Sequence, residues 1–222
     1  MNVQPLIDFA NNSIYPLQGL IAVYGLFCVI LVFRRIRSKQ FRSRLAADEF
    51  VNSVKTDLQQ GNFERVAELC DSPPYWSKAV PQLVLVALSL VERDPATLRR
   101  MLADKFDRDV LADLEYRMSW VNTVIKSAPM LGLLGTVLGM ISAFGKLAVT
   151  QKAGNDPALL ANDISFALVT TAVGLMIAIP LVLLSALIHV RLGRLQDGVQ
   201  FYLGEILDEF DLARKKRKSR SA

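Results

Sequence analysis

Histidine occurs once and cysteine twice in the 222 residues, and three long stretches carry no charge at all. The single His189 leaves no partner for a histidine-based metal site or a Ser-His-Asp arrangement. Cys28 and Cys70 stand far apart, one inside an apolar run and one in a polar region, so neither a disulfide framework nor a zinc spacing exists around them. A glycine-rich phosphate loop and a nucleophile elbow are also absent. Carboxylates such as Glu64, Glu68, Asp104 and Asp107 sit among basic residues at helix-surface spacing, which is the pattern of a solvated face. These absences point away from an enzyme, and no metal or cofactor site is expected.

The uncharged stretches are Phe9–Phe33 (25 residues), Ser127–Gly145 (19) and Ile164–Ile188 (25). About 20 apolar residues cross a hydrocarbon core of roughly 30 Å, so each is long enough to span a bilayer. A fourth apolar run, Ala79–Val91, has 13 residues and contains Pro81 and Gln82; it reads as a buried helix of a soluble part. The first run lacks a basic leader and a small-residue cleavage site, so it is expected to be an uncleaved span.

Charge sets the expected orientation. The first 13 residues contain no Lys or Arg, whereas Arg34–Arg44 holds six basic residues and Arg214–Arg220 six more. Between the second and third runs, basic and acidic residues balance at two each. The positive-inside rule places the N-terminus outside and the other two regions in the cytoplasm. The expected layout is an outer segment over 1–13, spans over 14–33, 123–148 and 162–190, an outer loop over 149–161, a cytoplasmic helical region over 34–122 and a basic cytoplasmic tail over 191–222. The net charge of +5 belongs to residues beside the spans, where anionic membrane lipids are the natural partner, and no nucleic-acid partner is expected.

The polar region reads as helical throughout, giving an all-α fold in which long helices extend from the membrane into a small helical domain. Gly61 ends one helix as a C-cap, and Ser72-Pro-Pro forbids another from continuing. Asp94 followed by Pro95 marks a helix start. Nothing breaks the pattern from there to Pro129, so at 1.5 Å per residue the stretch Pro95–Ala128 would form a rod of roughly 50 Å connecting cytoplasm and membrane.

Within the second run, Gly132, Gly135, Thr136 and Gly139 recur at steps of three and four, giving one face of small residues. Gly135-x-x-x-Gly139 is a spacing that lets helix backbones approach closely in lipid. The third run carries Asp163, Ala167, Thr171, Gly174, Ala178, Ser185 and His189 in one sector, flanked by Thr170, with Pro180 expected to kink it. Each threonine either faces a shared axis or partner, or satisfies its own helix by bonding a preceding carbonyl. No acidic or basic residue lies well inside any of the three runs, so a proton pathway here would need its carboxylate from another chain.

The stretches APMLGLLGTVLGMISAF (128–144) and ISFALVTTAVGLMIAIPL (164–181) resemble the MotA/TolQ/ExbB channel family, most of all its three-span ExbB/TolQ branch. The resemblance implies a stator-type subunit in the bacterial inner membrane, N-terminus periplasmic and C-terminus cytoplasmic. It further implies a homopentamer enclosing the membrane helices of an ExbD/TolR-like single-span dimer. An aspartate of that partner would carry the proton, or sodium would flow instead, and the motion would do work in the periplasm. Thr136 and Thr171 would then be pore-facing, with Thr170 beside them, and Pro129 and Pro180 would mark kinks. Gly132, Gly135, Gly139, Gly174, Ala167 and Ala178 would pack helices. One position departs from the family pattern I-x-E-A-L: here the sequence is ISFAL, with Phe166 in place of the acid. The alternative is a non-conducting oligomeric scaffold or assembly protein that uses the same small-residue faces for packing alone.

Overall fold

The computed structural model of the chain describes residues 4–90, 93–150 and 157–220. It is all-helical there: α1 (Gln4–Lys39), α2 (Arg44–Gln59), α3 (Phe63–Asp71), α4 (Ala79–Ser89), α5 (Pro95–Phe106), a π-helical turn (Asp107–Leu111), α6 (Ala112–Thr150) and α7 (Pro157–Arg220). Three helices, within Ser13–Gln59, Pro95–Lys146 and Ala161–Lys215, are long and apolar enough to cross a membrane. Residues 151–156, the middle of the expected outer loop, lie outside the described residues, as does the end of the Ala79–Val91 run.

The chain divides into two compact units. The first consists of Met1–Leu31 and Arg117–Leu187, and therefore of parts of α1, α6 and α7. Its buried positions on α6 run Val121, Val124, Ala128, Gly132, Gly135, Gly139 and Ser142. On α7 they run Ala167, Thr170, Gly174, Ala178, Leu181 and Ser185. Both series combine steps of three and four, the 3.6-residue period of one helix face. The outer faces carry Leu20, Val23, Leu133, Val137, Met176 and Leu183, all well exposed, as expected of helices whose surroundings are apolar.

The second unit, Val32–Tyr116 with Ile188–Ala222, is built as a soluble helical domain is built. Its core holds Phe50, Val54, Leu58, Val66, Leu98, Leu102, Leu114, Ile206 and Phe210, each at most 2% exposed. Local signals fix its corners. The Ser43 hydroxyl accepts from Ala46 N (3.1 Å) to cap α2, and the Asp94 carboxylate accepts from Ala96 N (3.2 Å) to cap α5. Gly61 takes φ +76°, with Gly61 N donating to Leu58 O and Asn62 N to Asp57 O; this paired bonding ends α2 and requires the left-handed conformation that glycine adopts without strain.

One expectation changes. The stretch from Pro95 is continuous but not uniformly α-helical, because it passes through the π turn. Buried residues 98, 102, 106, 110, 114 and 118 are all four apart, and in a regular α-helix each such step drifts about 40° around the axis. The wider π turn takes up the extra residue and returns Phe106, Val110 and Leu114 to one side. Within the expected basic tail α7 continues through residues 191–220, where Phe210 packs on Phe63 while Glu205 pairs with Lys55 (2.8 Å) and Asp208 with Arg99 (2.6 Å). Pro129 and Pro180 both lie inside helices that continue past them.

Candidate functional site

The glycines of α6 face α7 of the same chain at backbone contact. A Cβ on Gly132 would stand 2.8 Å from the Thr171 Cα and 2.9 Å from the Thr170 carbonyl oxygen. On Gly139 it would stand 2.5 Å from the Ala167 Cβ, and on Gly174 2.6 Å from the Ala128 carbonyl oxygen. On Gly135 it would run into the Thr170 hydroxyl. Leucine cannot occupy these places, because most of the obstructing atoms are backbone or Cβ and have no rotamer to move into. The space the glycines create is thus filled by the chain's own third long helix.

Close approach brings polar atoms together. Thr170, only 2% exposed, donates its hydroxyl to Ala167 O (2.7 Å) in its own helix and also lies 3.1 Å from Gly132 O across the seam. The Thr170 carbonyl receives a bond from Gln18 Nε2 of α1 (2.8 Å), so one residue of α7 is tied to both neighbours. Thr136 donates to Leu133 O (2.7 Å), satisfying itself within α6. Thr171 behaves differently: its hydroxyl oxygen is covered yet has no hydrogen-bond partner, a state it shares with Gln18 Oε1. An unpaired hydroxyl or amide oxygen in an apolar setting carries a penalty of about 1–3 kcal/mol, so both atoms favour any donor or cation that reaches them.

The register of the seam separates the two adjacent threonines. Thr170 is central to the buried face, while Thr171 is half-buried at its edge and His189 is exposed beside buried Ile188. Phe166 stacks edge-on against Tyr15 of α1 (ring centroids 5.0 Å apart), and the Tyr15 hydroxyl lies 3.4 Å from the Phe166 carbonyl. Ala178 is buried on the same face. Beyond Phe166, Lys146 Nζ binds both oxygens of Asp163 (2.7 and 3.0 Å), joining α6 to α7. Gln18 and Tyr15 were not singled out from sequence. Gln18 carried a usable signal, as the single side-chain amide between Ser13 and Phe33. Among the described residues, no cluster of three or more His, Cys, Asp or Glu is placed to hold a metal ion.

Comparison with known proteins shows the family of the chain. The sequence pattern of the MotA/TolQ/ExbB proton channel family matches residues 76–200, which include the whole glycine–threonine seam. The chain is 46% identical over 166 residues to the biopolymer transport protein exbB1 of Vibrio cholerae, covering 74% of this chain and 72% of that one. It is 29% identical over 209 residues to a protein of Methanothermobacter thermautotrophicus named as an ExbB homolog in biopolymer transport, covering 90% and 70%. With the Tol-Pal system protein TolQ of Haemophilus influenzae it shares 35% over 100 residues, covering 45% and 41%.

Proposed function

Because this multi-pass membrane chain belongs to the MotA/TolQ/ExbB proton channel family, in its ExbB/TolQ-like branch, we propose that it is the stator-type subunit of a motor driven by an ion gradient across the bacterial inner membrane. In this reading, several copies, five by family likeness, form a ring around an ExbD/TolR-like single-span dimer. The chain's own spans lack an ionisable group at membrane depth, so the partner supplies the carboxylate that takes up and releases the ion. The N-terminus and the 149–161 loop face the periplasm, where the work is done, and the basic segments face the cytoplasm.

The observation that carries this reading is the Thr171 hydroxyl, the one seam threonine whose hydroxyl is left without a bond. A third of a turn about χ1 would bring the hydroxyl to the place of the methyl and present the oxygen to an incoming carboxylic acid or hydrated ion. Each elementary charge crossing 100 mV releases about 2.3 kcal/mol, several times the roughly 0.6 kcal/mol of a typical side-chain hydrogen bond in a membrane. The hydroxyl therefore tunes passage without trapping the ion.

The scaffold reading draws on the seam itself, since close glycine packing needs no ion. Thr171→Val separates the two. The variant keeps the shape and removes an unbonded hydroxyl, so assembly should persist. Under the motor reading, proton-motive-force-dependent work falls at least tenfold; normal work by an assembled Thr171→Val complex would favour the scaffold.

A further inference from the structure

In the second unit, a cleft of about 670 Å³ opens between the segment that follows α1, the start of α2 and the part of α7 that follows its apolar run. Lys39, Arg44 and Arg194 line it, together with Ser43 and the rings of Phe41 and Phe201. We propose that this cleft binds the phosphate group of an anionic phospholipid, with the three cations around the phosphate and the aromatic wall beside the glycerol and upper acyl chain.

Three observations support the site. The first is an excess of positive charge, three cations against the carboxylates of Asp48 and Asp197. Arg44 and Arg194 have no ion-pair partner among the described residues, although Asp48 and Asp197 also line the cleft. Burial, and then the Asp48 charge, holds the Tyr202 phenol above its ordinary pKa. Lys39 gives one of its three protons to Gln82 Oε1 (2.7 Å) and keeps two. Burial, and then the neighbouring Arg35, lowers the Lys39 pKa, so its ammonium gains from an added anion.

The second observation is height. Lys39 lies six residues beyond Phe33 and Arg194 six beyond Ile188, the last residues of their uncharged runs. At 1.5 Å per residue both are about 9 Å out, at the outer edge of the roughly 5–8 Å headgroup layer on one side of a bilayer. Arg191 stacks over the Phe33 ring (4.3 Å to the centroid) and its carbonyl receives Gln40 Nε2 (3.3 Å), so α1 and α7 are fastened together at this level. The third is the N-terminus of α2. Ser43 caps Ala46 N, while the amides of Arg44 and Leu45 precede the first intrahelical bond and add positive potential at the cleft.

The test uses the full chain, stripped of lipid in detergent, and counts retained lipid by native mass spectrometry as phosphatidylglycerol or phosphatidylcholine is added. The expected result is one retained phosphatidylglycerol per chain and a preference of at least tenfold over phosphatidylcholine. Arg44→Gln with Arg194→Gln should remove that preference, whereas Arg44→Lys with Arg194→Lys and the remote Arg65→Gln should keep it. Equal retention by the glutamine pair, with helix content unchanged, would overturn the site. So would absence of a headgroup preference in the native chain. Displacement of the lipid by millimolar inorganic phosphate would identify a soluble phosphate as the occupant and overturn the lipid assignment.

Discussion

The two units solve the same problem, helix against helix, with opposite materials. In the first, the contact is made by what is missing: Gly132, Gly135, Gly139 and Gly174 withhold a side chain so that α6 and α7 meet at their backbones. In the second, the contact is made by bulk, with Phe50, Leu58, Leu98, Leu102, Ile206 and Phe210 filling an interior and ion pairs such as Lys55–Glu205 at its edge. The difference follows from the surroundings. In water, burying large apolar side chains drives packing. In lipid the surroundings are already apolar, so dispersion at close range and a few hydrogen bonds must do it.

Exchanging the materials should break both units, and the largest effect is expected in the second. Phe50→Ala empties a site that is 1% exposed and should cost about 3–5 kcal/mol, read as an early unfolding transition in thermal denaturation of the detergent-solubilised protein. Next comes Gly132→Ala, in which the new methyl meets Thr171 Cα and Thr170 O; overpacking of this kind costs about 1–3 kcal/mol, and the same denaturation reads it. The contrast sharpens with Gly198→Ala on α7 of the second unit, where nothing lies within 4 Å and the change should be neutral or stabilising by up to about 1 kcal/mol. If Gly132→Ala and Gly198→Ala shift stability alike, the seam is not held by backbone approach.

Smaller effects follow from the buried thiol of the second unit. Burial pushes Cys70 from 9.0 up to about 12. The thiol therefore stays neutral in the fold while that of the unfolded chain ionises above pH 9, so its contribution to stability is present below pH 9 and is lost as pH rises towards 12. The loss should reach about 1.4 kcal/mol near pH 10, measured as the difference between the native chain and Cys70→Ala. Alkylation of Cys70 at pH 8 should be slow until the protein is denatured. Smallest of all, Lys55→Met should cost less than about 1 kcal/mol, because both partners of that pair are partly exposed.

Local and periodic features were legible in the sequence. Gly61 and Asp94 announced helix ends by chemistry confined to a few residues, the three uncharged runs announced the spans, and the step pattern of the glycines announced a face. What the sequence did not disclose was which surface would cover that face. Whether Thr170 or Thr171 sits at the centre depends on a rotation of about 100° that packing decides, since one residue separates them. Gln18 was passed over because its bond to Thr170 joins residues 152 apart. The π turn had a signal in its repeated steps of four, visible once the buried residues were known. Pairing of Glu205 with Lys55 and Asp208 with Arg99 turned an apparent basic tail into a structural helix, again through contacts more than 100 residues apart.

The central claim is that these spans, lacking an acid of their own, surround one supplied by another chain. It is tested most directly by extracting the complex from its native membrane in mild detergent and measuring the mass and composition of the intact particle. The account predicts a homo-oligomer holding, in smaller number, a single-span protein with an aspartate in its membrane helix. A homo-oligomer without a second chain after gentle extraction would contradict it and leave the glycine–threonine seam as packing alone.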